Sequence, residues 1–179
     1  MTRVYGILAV LMVGWVVACA PPPEGGATQP PPPARAADPD RILEADTPEC
    51  ETRCTELGES YEKCSASLCA AGLYPLLAIR AIDSAEKQPG QALEIAGQFG
   101  QPADNLSLAL AEERDGVLYH QYRLQTLSWE NERIAARVHA EVAPGSYQLL
   151  LVYQVNVGAA ALPVFMRASN TVAMRVSSP

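Results

Sequence analysis

The run SYQLLLVYQV, residues 146–155, is apolar on both of the faces that a β-strand presents. With a side-chain period of two, Tyr147, Leu149, Leu151, Tyr153 and Val155 share one side, and Leu150 and Val152 lie on the other. A strand of this kind must be covered twice, so it belongs at the centre of its sheet. LSLAL places Leu106, Leu108 and Leu110 on one face, and RIAARVH does the same with Ile134, Ala136 and Val138 while sending Arg137 outward. The turn-forming stretches KQPGQ, GQPADN, EERDG and APGS separate these runs. About seven short strands over residues 73–179 predict a mainly β, immunoglobulin-like two-sheet sandwich. No Cys…Trp…Cys arrangement is present, which argues against an antibody-type domain.

The segment TPECETRCTELGESYEKCSASLCAAG, residues 47–72, predicts a small helical hairpin in front of the sandwich. Thr47 suits the cap of the first helix, Pro48 its first turn, and Glu49 and Glu51 the positive end of its dipole. Gly58 stops that helix, and a second runs from about Ser60 until Gly72 ends it. Cys50 and Cys54, four apart, fall on one face. Antiparallel packing brings nested pairs together, Cys50 with Cys69 and Cys54 with Cys64, although four cysteines allow three pairings. A four-thiolate zinc site competes, but the gaps are not those of paired C-x-x-C ligands, so no metal is expected. In so small a hairpin the bridges stand in for a core.

Residues 1–18 carry one charge, Arg3, ahead of an uninterrupted uncharged stretch, the layout of an export signal. The apolar run Val4–Ala20 is 17 residues, at the lower edge of what spans a bilayer, so a plain anchor is the competing reading. VVAC, ending at Cys19, resembles the lipobox of bacterial lipoprotein signal peptides. The resemblance implies that Cys19 is acylated and becomes the mature N-terminus. Each buried methylene would then hold the chain by roughly 0.8 kcal/mol, so several chains anchor stably. Ala20 after the cysteine is similar to signals forwarded to the outer membrane of a bacterial cell envelope. Residues 19–46 follow as a proline-rich tether, extended by the fixed φ of its prolines.

A second resemblance covers roughly residues 74–177. Pro75, Gly90, Leu93, Ile95, Gly97, Phe99, Gly100 and Leu108, then Trp129, Ile134, Val138, Gly145 and Tyr147, then Ser169 and Val176, fall where IPT/TIG domains carry their turn glycines and core residues. These are immunoglobulin-like modules of early-set topology, and what the resemblance implies is a scaffold rather than an activity. Two stretches depart from it: Glu112–Thr126, longer and more polar than a minimal loop, and NVGAAALPVFMRA, which reads as an extended apolar loop.

The formal net charge is −7, and loss of Arg3 with the signal makes it −8. Phosphate backbones call for clustered Lys and Arg, so no nucleic-acid partner is expected. The two histidines, His120 and His139, lie in no triad or metal-ligand spacing, and neither a catalytic residue nor a cofactor is expected. VLYHQYRLQTLSW gathers Tyr119, Tyr122, Arg123 and Trp129, the aromatic and cationic groups that hold sugars and peptides, although core packing competes for the aromatics. Leu162 and Phe165, with Val164, belong to an apolar stretch that either forms a contact patch or folds over a sheet edge. The candidate binding surface is therefore Tyr119, Tyr122, Arg123, Leu162 and Phe165. The expected function is non-enzymatic binding or adhesion at the envelope, with a membrane held through the lipid and an envelope protein or polysaccharide as partner. An accessory structural subunit of an envelope assembly is the alternative.

Overall fold

The computed structural model describes residues 38–56, 68–73, 76–157 and 162–179, all within the compact unit Arg35–Pro179. The signal segment, Cys19, nearly all of the tether, Cys64 and Pro75 lie outside the described residues. Among the described residues no helix is long and apolar enough to cross a membrane.

The chain forms β1 (Ile42–Leu43), α1 (Pro48–Glu56), a 3-10 turn (Ala71–Leu73), β2 (Ala78–Ile82), β3 (Glu86–Lys87), β4 (Ala92–Gln98), β5 (Leu106–Arg114), β6 (Val117–Arg123), β7 (Gln125–Trp129), β8 (Arg133–Arg137), β9 (Gly145–Val157), β10 (Leu162–Arg167) and β11 (Val172–Val176). It is mainly β in two sheets, as the alternation predicts. The smaller sheet runs β2-β4-β8-β7. In the larger, seven-stranded sheet β9 is central: β5 pairs along one edge, and β10 and β11 share the other. Leu93, Ile95, Ile134 and Ala136 from the small sheet meet Leu108, Leu110, Leu149 and Leu151 from the large one in a shared core. Each such leucine contributes roughly 1.5–3 kcal/mol on burial.

The double covering of β9 has a specific cause. The strands β6, β5, β9, β10 and β1 curl until the ends of the series meet: Arg41 bridges Tyr119, and the His120 N–H donates to the Asp40 carbonyl at 2.6 Å. Followed through β10, Arg41 stands on the row of Val155, whereas through β6 and β5 it stands on the row of Tyr147. That is a stagger of about eight residues, the kind of shear that a closed barrel requires. The inside of this small barrel holds Ile42, Ala109, Ala111, Leu118, Leu150, Val152 and Phe165. Small Ala109 and Ala111 on β5 leave room inside for Leu150, Leu118 and Phe165. On the outside, Leu43, Val164 and Met166 pack against Cys50, Cys54, Leu68 and Cys69. The disulfide-linked segment therefore covers the part of the large sheet beyond the small sheet's reach.

Helix α1 starts as predicted: the Thr47 hydroxyl accepts the Cys50 N–H at 3.3 Å and donates to the Glu44 carbonyl at 2.8 Å. Cys50 and Cys69 are joined as expected. Cys54 is also disulfide-bonded, its sulfur 3.8 Å from that of Cys69, and the Cys64 half of the expected second pair lies outside the described residues. The predicted second helix does not extend to Gly72, since Leu68 and Cys69 occupy a turn and Ala71–Leu73 is 3-10. Three further expectations are corrected. The tether does not run to residue 46, because Ile42 and Leu43 form β1 and complete both cores. The apolar stretch before the last strand is no loop: Leu162–Arg167 is β10, paired antiparallel to β9. Glu112–Thr126 is largely a hairpin of β5 and β6, turned by Asp115 (φ 51°) and Gly116 (φ 76°), the left-handed pair of a two-residue turn.

Two details close the sandwich. Asn170 receives the Ile79 N–H at 2.8 Å and donates its amide to the Ile79 carbonyl at 3.0 Å, acting as a strand partner for β2. Gly97 is enforced by space: a Cβ there would stand 2.1 Å from the Ala78 carbonyl oxygen and 2.3 Å from the Phe99 ring. Trp129 packs edge-on against Phe99 and donates its indole N–H to the Gly100 carbonyl at 3.1 Å, so it serves the core.

Candidate functional site

The expected binding surface does not form a single face. Tyr119 lies on the outside of the barrel with the Arg114 guanidinium 5.1 Å from its ring centre. Arg114 is paired with Glu112 at 2.6 Å, and this bond holds the Glu112 carboxyl below its ordinary value and the guanidinium above its own. Tyr122 packs against the main core and meets Tyr147 edge-to-face at 5.9 Å. The Tyr147 hydroxyl donates to the Ala143 carbonyl at 2.8 Å, and burial, then Tyr122 and Glu112, raise its pKa. Leu162 is 46% exposed at the start of β10, on the outer face with Val164. Phe165, placed on the surface by its sequence neighbourhood, is instead 8% exposed and points into the barrel. Its position next to Met166 explains the error: adjacent strand residues face opposite ways, so both can be buried only when the sheet is covered twice.

Inside the barrel His120 stacks on Phe165, ring centres 4.2 Å apart. Burial lowers the imidazole pKa below 6.5; Asp40 opposes the shift and Arg123 adds to it. His139 is half-buried beyond the end of β8. Among the described residues no group of three or more His, Cys, Asp or Glu side chains could hold a metal ion.

Of the expected surface, Arg123 sits in a polar concavity. At one mouth of the barrel, Asp104, Asn105, Ser107, Arg123, Gln154 and Asn156 line a cleft of about 230 Å³. The strands aim these groups inward by alternation. Ser107 follows the inner row of Ala109 and Ala111, Gln154 and Asn156 continue that of Leu150 and Val152, and Arg123 stands opposite Ala109. The apolar interior thus gives way to hydrogen-bonding groups where the barrel opens to water, a usual place for a ligand site.

Two larger depressions have part of their polar lining engaged, although the side chains of Ser146 and Arg175 in one and of Arg41 and Glu49 in the other have no hydrogen-bond or ion-pair partner among the described residues. In the groove of about 510 Å³ on the far end of β5, β9 and β11, Gln148 donates to Glu113 at 3.1 Å, and Glu112 and Tyr147 are engaged as described. In the depression of about 290 Å³ beside β1 and α1, Arg167 pairs with Glu44 at 2.5 Å and donates to the Ser169 carbonyl. At the mouth four such side chains gather: those of Asn105, Arg123, Gln154 and Asn156 have no hydrogen-bond or ion-pair partner among the described residues. Their bonding capacity is open to a ligand. The sequence alone marks Asn105-Leu106-Ser107 only as a formal glycosylation sequon and does not place Asn105, Ser107, Gln154 and Asn156 together, although a signal is present: polar residues at spacing two, at the outer ends of otherwise apolar strands.

No protein-family model and no curated protein sequence matches this chain. Among solved structures it is similar, over 56% of its length, to 47% of a putative bacterial DNA binding protein from Bacteroides vulgatus (14% identity, TM-score 0.39). Over 54% of its length it is similar to 20% of an auxiliary nutrient binding protein from Bacteroides thetaiotaomicron (12% identity, TM-score 0.34). Over 57% it is similar to 89% of the TIG domain of human nuclear factor of activated T-cells, cytoplasmic 4 (13% identity, TM-score 0.35). The chain spans less than half the length of the two Bacteroides proteins. Likenesses of this size assign neither family nor activity, and the two-sheet architecture rests on the strand pairing itself.

Proposed function

We propose that this chain is a lipid-anchored, non-enzymatic binding module of the bacterial cell envelope. Acylated Cys19 holds the membrane, the proline-rich tether gives clearance, and a disulfide-braced, IPT/TIG-like sandwich presents the barrel mouth to its partner. The observation that carries binding is the convergence of Asn105, Arg123, Gln154 and Asn156 in one cleft with their side chains unpartnered among the described residues. Composition favours binding over turnover. Among the described lining residues Ser107 carries the one hydroxyl, and no described hydrogen bond joins it to a histidine base. The VVAC sequence supports the anchor, and the Cys50–Cys69 bridge supports an oxidising compartment.

A photo-reactive side chain at position 156 of the full-length protein tests this reading in intact cells. It should yield a defined adduct, protein or polysaccharide, that the same group at position 137, on the smaller sheet, does not. Absence of an adduct at 156, or equal adducts at both positions, refutes the binding reading.

A further inference from the structure

Resting on that reading, we propose that the barrel mouth recognises a neutral sugar residue of an envelope polysaccharide through adjacent hydroxyl groups. The donor and acceptor inventory separates the ligand classes. Asn105, Gln154 and Asn156 each offer an NH₂ donor and a carbonyl acceptor, Ser107 a hydroxyl that does both, Arg123 a planar set of donors and Asp104 only acceptors. A vicinal diol both donates and accepts at each oxygen, so it can use the whole set.

An anionic ligand would use the donors alone. It would leave three amide carbonyls and the Asp104 carboxylate facing negative charge, on a chain whose own net charge is −7. An extended peptide adding as a strand would need an open edge at the cleft. The strands that form its floor do not supply one, because β5 is paired with β6 and β9, and β9 with β5 and β10. The cleft volume, about 230 Å³, is below the usual range for drug-sized ligands and suits one ring of a longer chain. Pro163, the strand partner of Asn156, is the apolar neighbour available to a C–H face of the ring. Among the described residues no aromatic ring lines the cleft, so an individual site should bind weakly, with a Kd of about 1 mM, and act through the repeated units of a polymer.

Affinity electrophoresis of the full mature protein in detergent, through gels cast with galactomannan, β-glucan, chitosan-free chitin oligomer conjugate or polygalacturonate, tests the proposal. At least one of the neutral polymers should retard the protein, polygalacturonate should not, and a free neutral monosaccharide should compete near 1 mM. Arg123→Gln and Asn156→Ala should each weaken retardation about tenfold, while Arg175→Gln, on the sheet face away from the mouth, should leave it unchanged. Thermal unfolding of each variant at the wild-type midpoint shows that the fold is retained. Retardation by no neutral polymer, stronger retardation by polygalacturonate, or indifference to both mouth substitutions overturns the proposal. A protein adduct at position 156 alongside such a failure would reject the sugar and leave the binding module standing.

Discussion

His120 and Phe165 lie face to face, ring planes 1° apart, although their strands β6 and β10 are not neighbours in the sheet. The short β1 runs between them, Ile42 pairing with Phe165 while Asp40 accepts the His120 N–H. The stack thus fastens the seam of the barrel from inside. Its neutral imidazole makes the seam sensitive to acid. Burial, with Arg123 and against Asp40, keeps the folded-state pKa below the unfolded value of 6.5. As pH falls below that value the unfolded chain takes up a proton that the folded form resists, so stability declines until the folded histidine also titrates. The thermal midpoint should therefore drop between about pH 7 and pH 5, and His120→Phe, which keeps a ring on Phe165, should flatten that slope. An unchanged slope in the variant would remove His120 from the seam.

The folded unit should begin before β1. Ile42 is 6% exposed and fills the barrel, so Ile42→Ala should cost about 2–5 kcal/mol in urea unfolding. Deletion through residue 37 should leave the unfolding midpoint near that of the full chain, whereas deletion through Leu43 should abolish a cooperative transition. Equal stability of the two truncations would return β1 to the tether.

Gly97→Ala should be severely destabilising despite the small change in volume. Its Cβ would stand 2.1 Å from a backbone oxygen, and the strand pair β2–β4 would have to part to admit it. A loss of about 1–3 kcal/mol or more is expected from overpacking, measured by denaturant unfolding.

The Cys50–Cys69 bridge closes a separation of 19 residues and supports Leu43 and Met166 from outside the barrel. Cys50→Ser should lower stability by about 2–5 kcal/mol, and added reductant should affect the variant less than the wild type. A bridge that was merely decorative would leave both curves together.

Local periodicity carried most of the sandwich. LSLAL, RIAARVH and SYQLLLVYQV became β5, β8 and β9 with the expected faces inward. The rolling of the sheet was not legible, because closure depends on a stagger between strands far apart in sequence. Apolar residues on both faces of β9 are compatible with a flat central strand as well as a curled one. β1 is only two residues, embedded among charged and proline-bearing neighbours, so it gave no periodic signal. β10 was obscured by Pro163 and by Val164, Phe165 and Met166 in succession, where alternation disappears because both faces are buried. The mouth went unread because its six residues come from β6, β9, β5 and the turn before β5, and meet only through strand pairings between segments far apart in sequence.

The account stands most directly on export and acylation at Cys19. Intact-mass and N-terminal peptide analysis of the protein recovered from membranes should find Cys19 as the first residue, carrying acyl chains. Recovery from the cytosol with Met1 in place and no acyl mass would contradict it.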